Sequence, residues 1–209
     1  MKIYFARHGE TDWNAAGKIQ GTTDTQLNAR GLEQAKLLAD DLAGKGADLF
    51  KVYSSRQTRA YTTAKTVAER FGVSVARVDG LEEMSLGVWE GQSWPDIQAA
   101  YPREVELWRS DKMHNRAPGG ECYRDVLERL FRALDEIMAE NRRENPAGQD
   151  ILIVSHGAVL FVLFALKNDA SFDLASSGIR IKNAAALEMD ASEIEALKNK
   201  FYDRERIAN

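Results

Sequence analysis

The sequence predicts an α/β fold of three layers, with a mostly parallel central sheet and helices on both faces. Two observations carry this. Short runs rich in β-branched and aromatic residues, bounded by turn residues, alternate with longer stretches whose apolar residues recur at helical spacing. Such alternation marks strand–helix–strand crossovers. The 209 residues are 44% hydrophobic and 29% charged, enough for one substantial core and ordinary for a globular chain. The whole is expected to form a single domain, 1–209.

Taken in order, residues 3–6 form the first strand. Leu32, Ala35, Leu38, Ala39 and Leu42 make an apolar helical stripe ended by Gly44 and Gly46. A second strand covers 51–54. Ala60, Ala64, Val67, Ala68 and Phe71 make the next stripe, with Ser55 as its N-cap and Gly72 just past its end. A third strand covers 75–78. Residues 91–120, which hold Trp94, Trp108, Arg103, Arg109, Lys112 and Arg116, break the alternation. They read as an insertion over one edge of the sheet. Val126, Leu127, Leu130, Leu134, Ile137 and Met138 mark a long helix over about 121–144 that stops before Pro146. Residues 151–154 form a strand, and 158–167 are apolar almost all round, as in a helix buried on most sides. Two last strands are expected at 178–181 and 185–189.

Composition excludes several classes. The net charge is −4, with Lys and Arg scattered along the chain, so the concentrated basic patch of a nucleic-acid-binding domain is missing. Cys122 is the only cysteine, which rules out an internal disulfide and a zinc site built on several cysteines. The N-terminal MKIYFARHGE is not a signal peptide. The longest apolar run, 157–166, is about half of what a membrane helix needs. A cytoplasmic protein is expected.

The chemistry-bearing residues sit at two strand ends. FARHG (5–9) and LIVSHG (152–157) are apolar runs that both stop in His-Gly. Ligands of open α/β sheets bind beyond the carboxyl ends of the strands. If these two strands are neighbours, His8 and His156 face one site, and the glycines after them let the backbone turn tightly and approach a ligand. Arg7 precedes His8, and Arg59 falls in the first turn of the helix after VYSS. Guanidinium forks match phosphate oxygens. Nearby positive charge also keeps an imidazole neutral, and hence nucleophilic. A metal site is disfavoured because the arginines would repel the cation. Ser155 lacks the G-x-S-x-G surroundings of a serine nucleophile.

ARHGETDWN (6–14) resembles the signature of the histidine phosphatase superfamily, the phosphoglycerate mutase-like family. KIQGTTDTQLNARGLEQA (18–35), YSSRQTRAYTTA (53–64), LEEMSLGVWEG (81–91), APGGECYRDVLERL (117–130) and ILIVSHGAVL (151–160) are similar to its further blocks, in order. The resemblance implies a phosphoglycerate mutase-like fold with His8 as the nucleophile that becomes a phosphohistidine. It implies Arg7, Arg59 and His156 as the groups that hold the transferring phosphoryl oxygens. Asn14, Gln20 and Gly157 would add contacts to the substrate. Glu83 would be the acid, with the adjacent Glu82 as its rival. No metal or other cofactor is implied.

Some residues depart from the family pattern. Arg56 and Gln57 stand where relatives often have Ser-Ser-Pro-Leu or Ser-Asp-Leu. Arg56 either meets a second anionic group or, by the favoured reading, is a solvated surface residue. Cys122 replaces a common serine and is read as a small packing residue at a helix start rather than a reactive thiol. Trp89 and Trp94 either wall the pocket or pack the insertion. His114 and Arg116 reach toward the substrate or, as favoured, belong to a solvated loop. Mutases of the family carry Glu-Arg-His-Tyr-Gly at the acid and paired arginines in the insertion. This chain has EEMSLG and no Arg-Arg between 91 and 120. The resemblance therefore points to a phosphomonoesterase acting on a sugar phosphate, α-ribazole phosphate or a phosphorylated metabolite of that size. A phosphoglycerate mutase and a non-catalytic phosphoanion-binding protein are the alternatives.

Overall fold

The computed structural model describes residues 1–173 and 177–208. Five strands, β1 (Lys2–Arg7), β2 (Leu49–Ser54), β3 (Ser74–Arg77), β4 (Asp150–Ser155) and β5 (Ala186–Asp190), form one sheet in the order β3-β2-β4-β1-β5. All neighbours run parallel except β5, which pairs antiparallel with β1 at the edge. Among the described residues eight α-helices surround it: α1 (Asp12–Ala15), α2 (Ala29–Gly44), α3 (Thr58–Phe71), α4 (Trp94–Ala100), α5 (Pro102–Ser110), α6 (Tyr123–Glu144), α7 (Gly157–Lys167) and α8 (Glu193–Ala208).

The strand period of two divides the core between two faces. Tyr4, Ala6, Leu152 and Val154 pack against α2 and α3, through Leu38, Leu42, Ala64 and Val67. Ile3, Phe5, Ile151 and Ile153 point the other way, into the layer built from α6, α7 and α8. Ile151 to Val154 are all fully buried, as expected for a central parallel strand covered on both sides. The same cover explains α7, whose residues Val159 to Leu166 are all buried. No described helix is long and apolar enough to cross a membrane.

Several elements differ from the sequence expectation. Residues 178–181 form no strand. Their alternating Ile179 and Ile181 line a cavity instead, and the Ile181 carbonyl accepts from Arg7 Nη1 at 3.0 Å. The α3 N-cap is Gln57, without a side-chain cap bond of its own; Ser55 lies two residues earlier, where its hydroxyl meets Gln57 N–H at 3.3 Å and His156 at 2.8 Å, and Asp24 accepts from Thr58 N–H at 2.7 Å. Gly72 does end α3 in the left-handed region, at φ +67°, where glycine carries no Cβ penalty. Leu32 is 43% exposed and lies outside the buried stripe of α2. The segment 91–120 contains α4 and α5, whose Ile97, Val105 and Trp108 join the same apolar cluster as α6 and α7.

Candidate active site

The register across β1 and β4 sets Arg7 opposite Ser155. The residues that follow, His8 and His156, therefore leave the sheet side by side. Their rings lie 5.1 Å apart between centroids, and His8 N–H donates to the Ser155 carbonyl at 3.1 Å. Two histidines 148 positions apart thus meet because their strands are neighbours, as the matching strand-end motifs predicted.

His8 is 1% exposed. Its Nδ1 lies 2.7 Å from the Gly9 carbonyl, and Arg59 Nε–H donates to its Nε2 at 3.3 Å. A carbonyl only accepts and a guanidinium only donates, so Nδ1 carries the proton and Nε2 keeps its lone pair. Burial holds the His8 pKa well below 6.5, and the charges of Arg7 and Arg59 add to this. His156 is fully buried and also held well below 6.5, by burial first and then by His8, Arg59, Arg129 and Arg7. Its Nε2 lies 2.8 Å from Ser55 Oγ.

The arginines are held differently. Arg59 is fully buried and donates from Nη1 to the Thr23 carbonyl and from Nη2 to the Gly21 carbonyl, both at 2.8 Å. Among the described residues, Arg7 Nε is buried without a hydrogen-bond partner, and so is His156 Nδ1. Buried polar atoms are nearly always paired; Trp89 Nε1 and Trp108 Nε1 are unpaired too, but Arg7 lines a cavity and the His156 ring lies 5.1 Å from that of His8, so these two donors are available to a ligand's oxygens.

In front of these residues lies a cavity of about 480 Å³. Arg7, Asn14, Gln20, Glu83 and Gly157 line it, together with an apolar wall that includes Trp94 and Phe161. His8, Arg59 and His156 lie behind that lining, with little or no exposure. Thr11 Oγ1 and Thr25 Oγ1 donate to Gln20 Oε1 at 2.9 and 2.5 Å, which leaves the Gln20 amide N–H groups for other acceptors. The Asn14 oxygen accepts from Thr11 N–H at 3.2 Å and from Asn183 Nδ2 at 3.4 Å.

The two neighbouring acids separate cleanly. Glu82 folds back to accept from Gly80 N–H at 2.7 Å and does not line the cavity. Glu83 does, with its carboxyl group over the N-terminus of α7, 3.2 Å from Ala158 N–H. Gly157 sits between Arg7 and Glu83. A Cβ there would lie 3.4 Å from the Arg7 guanidinium and 3.6 Å from Glu83 Oε2. Neither Gly9 nor Gly157 has a positive φ; Gly9 is required by close approach, since a Cβ there would lie 2.4 Å from the Gly31 carbonyl oxygen, whereas one at Gly157 would make ordinary contacts.

Other sequence candidates lie elsewhere. Arg56 forms a two-pronged ion pair with Asp79 in solvent. His114 pairs with Asp111 at 2.7 Å and Glu205 at 3.4 Å, and Arg116 with Asp125 at 2.6 Å. Cys122 is buried at the start of α6, where Asp125 accepts from its N–H at 3.0 Å and from its Sγ at 3.2 Å; burial pushes its thiol pKa up. Trp89 is wholly buried in an aromatic cluster with Trp94 and Trp108, whereas Trp94 both joins that cluster and lines the cavity.

Sequence reading passed over four supporting residues. Gln57 accepts from Glu83 N–H at 2.8 Å and donates to the Gly21 carbonyl at 3.0 Å. Thr63 Oγ1 accepts from Gly9 N–H at 3.0 Å. Asn183 donates to the His8 carbonyl at 2.9 Å. Arg129 of α6 donates to the carbonyls of Gly80, Glu82 and Glu83. Of these, Gln57 stood out only as a departure from the family pattern, and Thr63 carried a signal in being four residues after Arg59 and so on the same helical face.

Residues 3–197 match the family model of the histidine phosphatase superfamily, branch 1. The chain is 33% identical to phosphoserine phosphatase 1 of Hydrogenobacter thermophilus, over 75% of this chain and 71% of that one. It is 32% identical to the probable phosphoglycerate mutase GpmB of Yersinia pestis, over 92% and 86%. It is 36% identical to 6-phosphofructo-2-kinase/fructose-2,6-bisphosphatase 1 of Rattus norvegicus over 82% of this chain, but it spans only 33% of that protein. Among solved structures, a mycobacterial glucosyl-3-phosphoglycerate phosphatase bound to VO3 superposes with a TM-score of 0.76 at 28% identity, covering 90% of each chain. The alpha-ribazole phosphatase of Shigella flexneri does so with 0.71 at 28%, covering 91% and 90%. By sequence, by fold and by the two strand-end histidines that its sheet brings together, the chain belongs to the histidine phosphatase superfamily, branch 1.

Proposed function

We propose that the protein is a phosphomonoester hydrolase that acts on a small phosphorylated metabolite through a phosphohistidine at His8. The observation that carries this reading is the arrangement around one atom. His8 Nε2 keeps its lone pair while Arg59 Nε points at it, and the two orphaned atoms, Arg7 Nε and His156 Nδ1, lie in the same site.

In the first step, His8 Nε2 attacks phosphorus in line. The N–P bond forms as the bond to the ester oxygen breaks, and the Glu83 carboxyl group gives its proton to the leaving oxygen. In the second step, water attacks phosphorus, Glu83 takes up the proton, and the N–P bond breaks. Charge on the equatorial oxygens is met by Arg7, Arg59 and His156, with Asn14, Gln20 and Gly157 beside them. Such stabilisation is the main contribution expected in phosphoryl transfer. The positive charge is supplied by side chains, so the hydrolysis is expected to persist in EDTA.

The test is hydrolysis of p-nitrophenyl phosphate in EDTA by the wild type and His8→Ala. The variant is expected to lose about 10³-fold or more in kcat, and acid-labile phosphate trapped on the wild-type protein should vanish with it. Equal rates in both proteins would remove the reading. Glu83→Gln should reduce kcat/KM, which reports transfer to His8 and not the later attack of water, by about 10²- to 10⁴-fold on an alkyl phosphate and by much less on the p-nitrophenyl ester, whose leaving group needs no proton. An equal loss on both esters would take the acid role away from Glu83.

The relatives' printed activities support phosphoserine, glucosyl-3-phosphoglycerate and α-ribazole phosphate as first substrates to assay. The absence of an Arg-Arg pair between 91 and 120 favours water over a second substrate oxygen as acceptor. Isomerisation of 3-phosphoglycerate in the presence of 2,3-bisphosphoglycerate, faster than phosphate release, would reverse that choice.

A further inference from the structure

We propose that Ser55 is a positioning residue that sets the tautomer of His156 and so turns its Nδ1–H toward the phosphoryl group. The inference rests on the reading of His156 as a phosphoryl-holding group and adds what makes that possible.

A neutral imidazole has one donor and one acceptor, and only the donor serves an anionic oxygen. Which nitrogen bears the proton is decided by the partner of the other. Among the described residues His156 Nε2 has one partner, Ser55 Oγ at 2.8 Å. The hydroxyl has a single other contact, the N–H of Gln57 at 3.3 Å, which donates to it. Ser55 is fully buried, and among the described residues its hydroxyl proton has no acceptor other than His156 Nε2. The hydroxyl therefore donates to Nε2, and the ring proton goes to Nδ1. That atom is the buried one without a partner, on a ring 5.1 Å from that of His8. The opposite tautomer would strand the serine proton and set a ring lone pair against the phosphoryl oxygens.

Ser55 and Arg59 leave the same strand-to-helix junction, so one short segment orients His156 and supplies the guanidinium that faces His8. The serine accepts a local bond from Gln57 N–H at 3.3 Å and adds a shorter one across the sheet, from the end of β2 to the end of β4, at 2.8 Å.

Nitrogen-15 NMR of histidine-labelled protein near pH 7.5 reads the tautomer directly, with His156 assigned by its loss in His156→Gln. The wild type is expected to show a protonated Nδ1 and an unprotonated Nε2. In Ser55→Ala the two signals should move toward each other or exchange. The same variant should lose about 10- to 100-fold in kcat, the range seen when the hydrogen-bond partner of a ligating histidine is removed, with KM within about threefold. A wild-type His156 protonated at Nε2 would overturn the proposal even if the variant failed to fold. An unchanged tautomer in a folded Ser55→Ala would do the same. The tautomer is measured without turnover, so its outcome is separate from the His8→Ala assay on which the hydrolase reading depends.

Discussion

At His8 the decisive property is the position of one proton, and the backbone decides it. The Gly9 carbonyl holds Nδ1–H at 2.7 Å, while the Gly9 N–H is itself fixed by Thr63. Gly9 can sit there because nothing projects from it. A Cβ at this position would lie 2.4 Å from the Gly31 carbonyl oxygen, and one at Gly31 would lie 2.1 Å from the Glu10 carbonyl oxygen. The obstacle is backbone in each case, so it has no rotamer by which to yield. Gly9→Ala is expected to lower stability by about 1–3 kcal/mol, the usual cost of overpacking, and to lower kcat as the His8 loop shifts. Gly44→Ala is the contrast: it lies in α2, away from positive φ, and beyond its own helix turn nothing lies within 4 Å of where its Cβ would sit. It should be neutral or slightly stabilising. Urea unfolding of both variants checks this, and a Gly9→Ala protein as stable as Gly44→Ala would contradict the packing argument.

At the level of elements, the site depends on a turn that no strand or helix contains. Residues 80–83 are held by Arg129, whose Nη1 donates to the Gly80 and Glu82 carbonyls at 2.9 and 2.7 Å and whose Nη2 donates to the Glu83 carbonyl at 3.2 Å. Glu121 pairs with the same guanidinium at 2.8 Å. Three carbonyls and a carboxylate on one planar fork cannot be matched by an ammonium group. Arg129→Lys is therefore expected to lower stability by about 1–3 kcal/mol, from the loss of charge-assisted hydrogen bonds, and to lower kcat through Glu83 while retaining the charge. Unfolding midpoints and turnover measured together test it, and a variant with wild-type kcat would show that Glu83 is held by other contacts. This support could not be read from the sequence. Arg129 is an ordinary helix residue in composition, and its partners are backbone atoms 46 to 49 positions away. What could be read was whatever local chemistry decides. The β1 and β4 ends announced themselves by apolar runs stopping in His-Gly, and α3 by its apolar stripe and Gly72. The segment 178–181 misled for the converse reason: its alternating isoleucines face a cavity and not a sheet, a choice made by tertiary packing.

At the scale of the whole molecule, folding carries two imidazoles into an interior that opposes their protonation. The pKa of His8 and that of His156 both lie well below 6.5, by burial first, whereas the unfolded chain titrates them near about 6.5. Below that pH the unfolded state binds protons that the folded state refuses, so stability falls as pH falls. Each group contributes a slope of at most about 1.4 kcal/mol per pH unit. The loss begins near 6.5 and continues down toward the depressed folded values. His114 acts with the opposite sign. Its pairing with Asp111 raises its pKa, so it contributes stability below 6.5 that is lost as pH rises through the folded value. Its side chain is 42% exposed, and solvent screens an exposed pair, so the buried pair dominates. The carboxylates held below their usual range, such as Asp125 through Arg116 and Glu90 through Thr23, stay ionised in both states down to about pH 5 and leave this window alone. The expected outcome is a urea midpoint that drops between pH 7 and pH 5, a shallower drop in His156→Gln, and a slightly steeper one in His114→Ala. A midpoint that holds or rises on acidification across that interval would mean that the imidazoles at the ends of β1 and β4 are not buried as neutral groups, and the chemistry assigned to His8 would lose its physical basis.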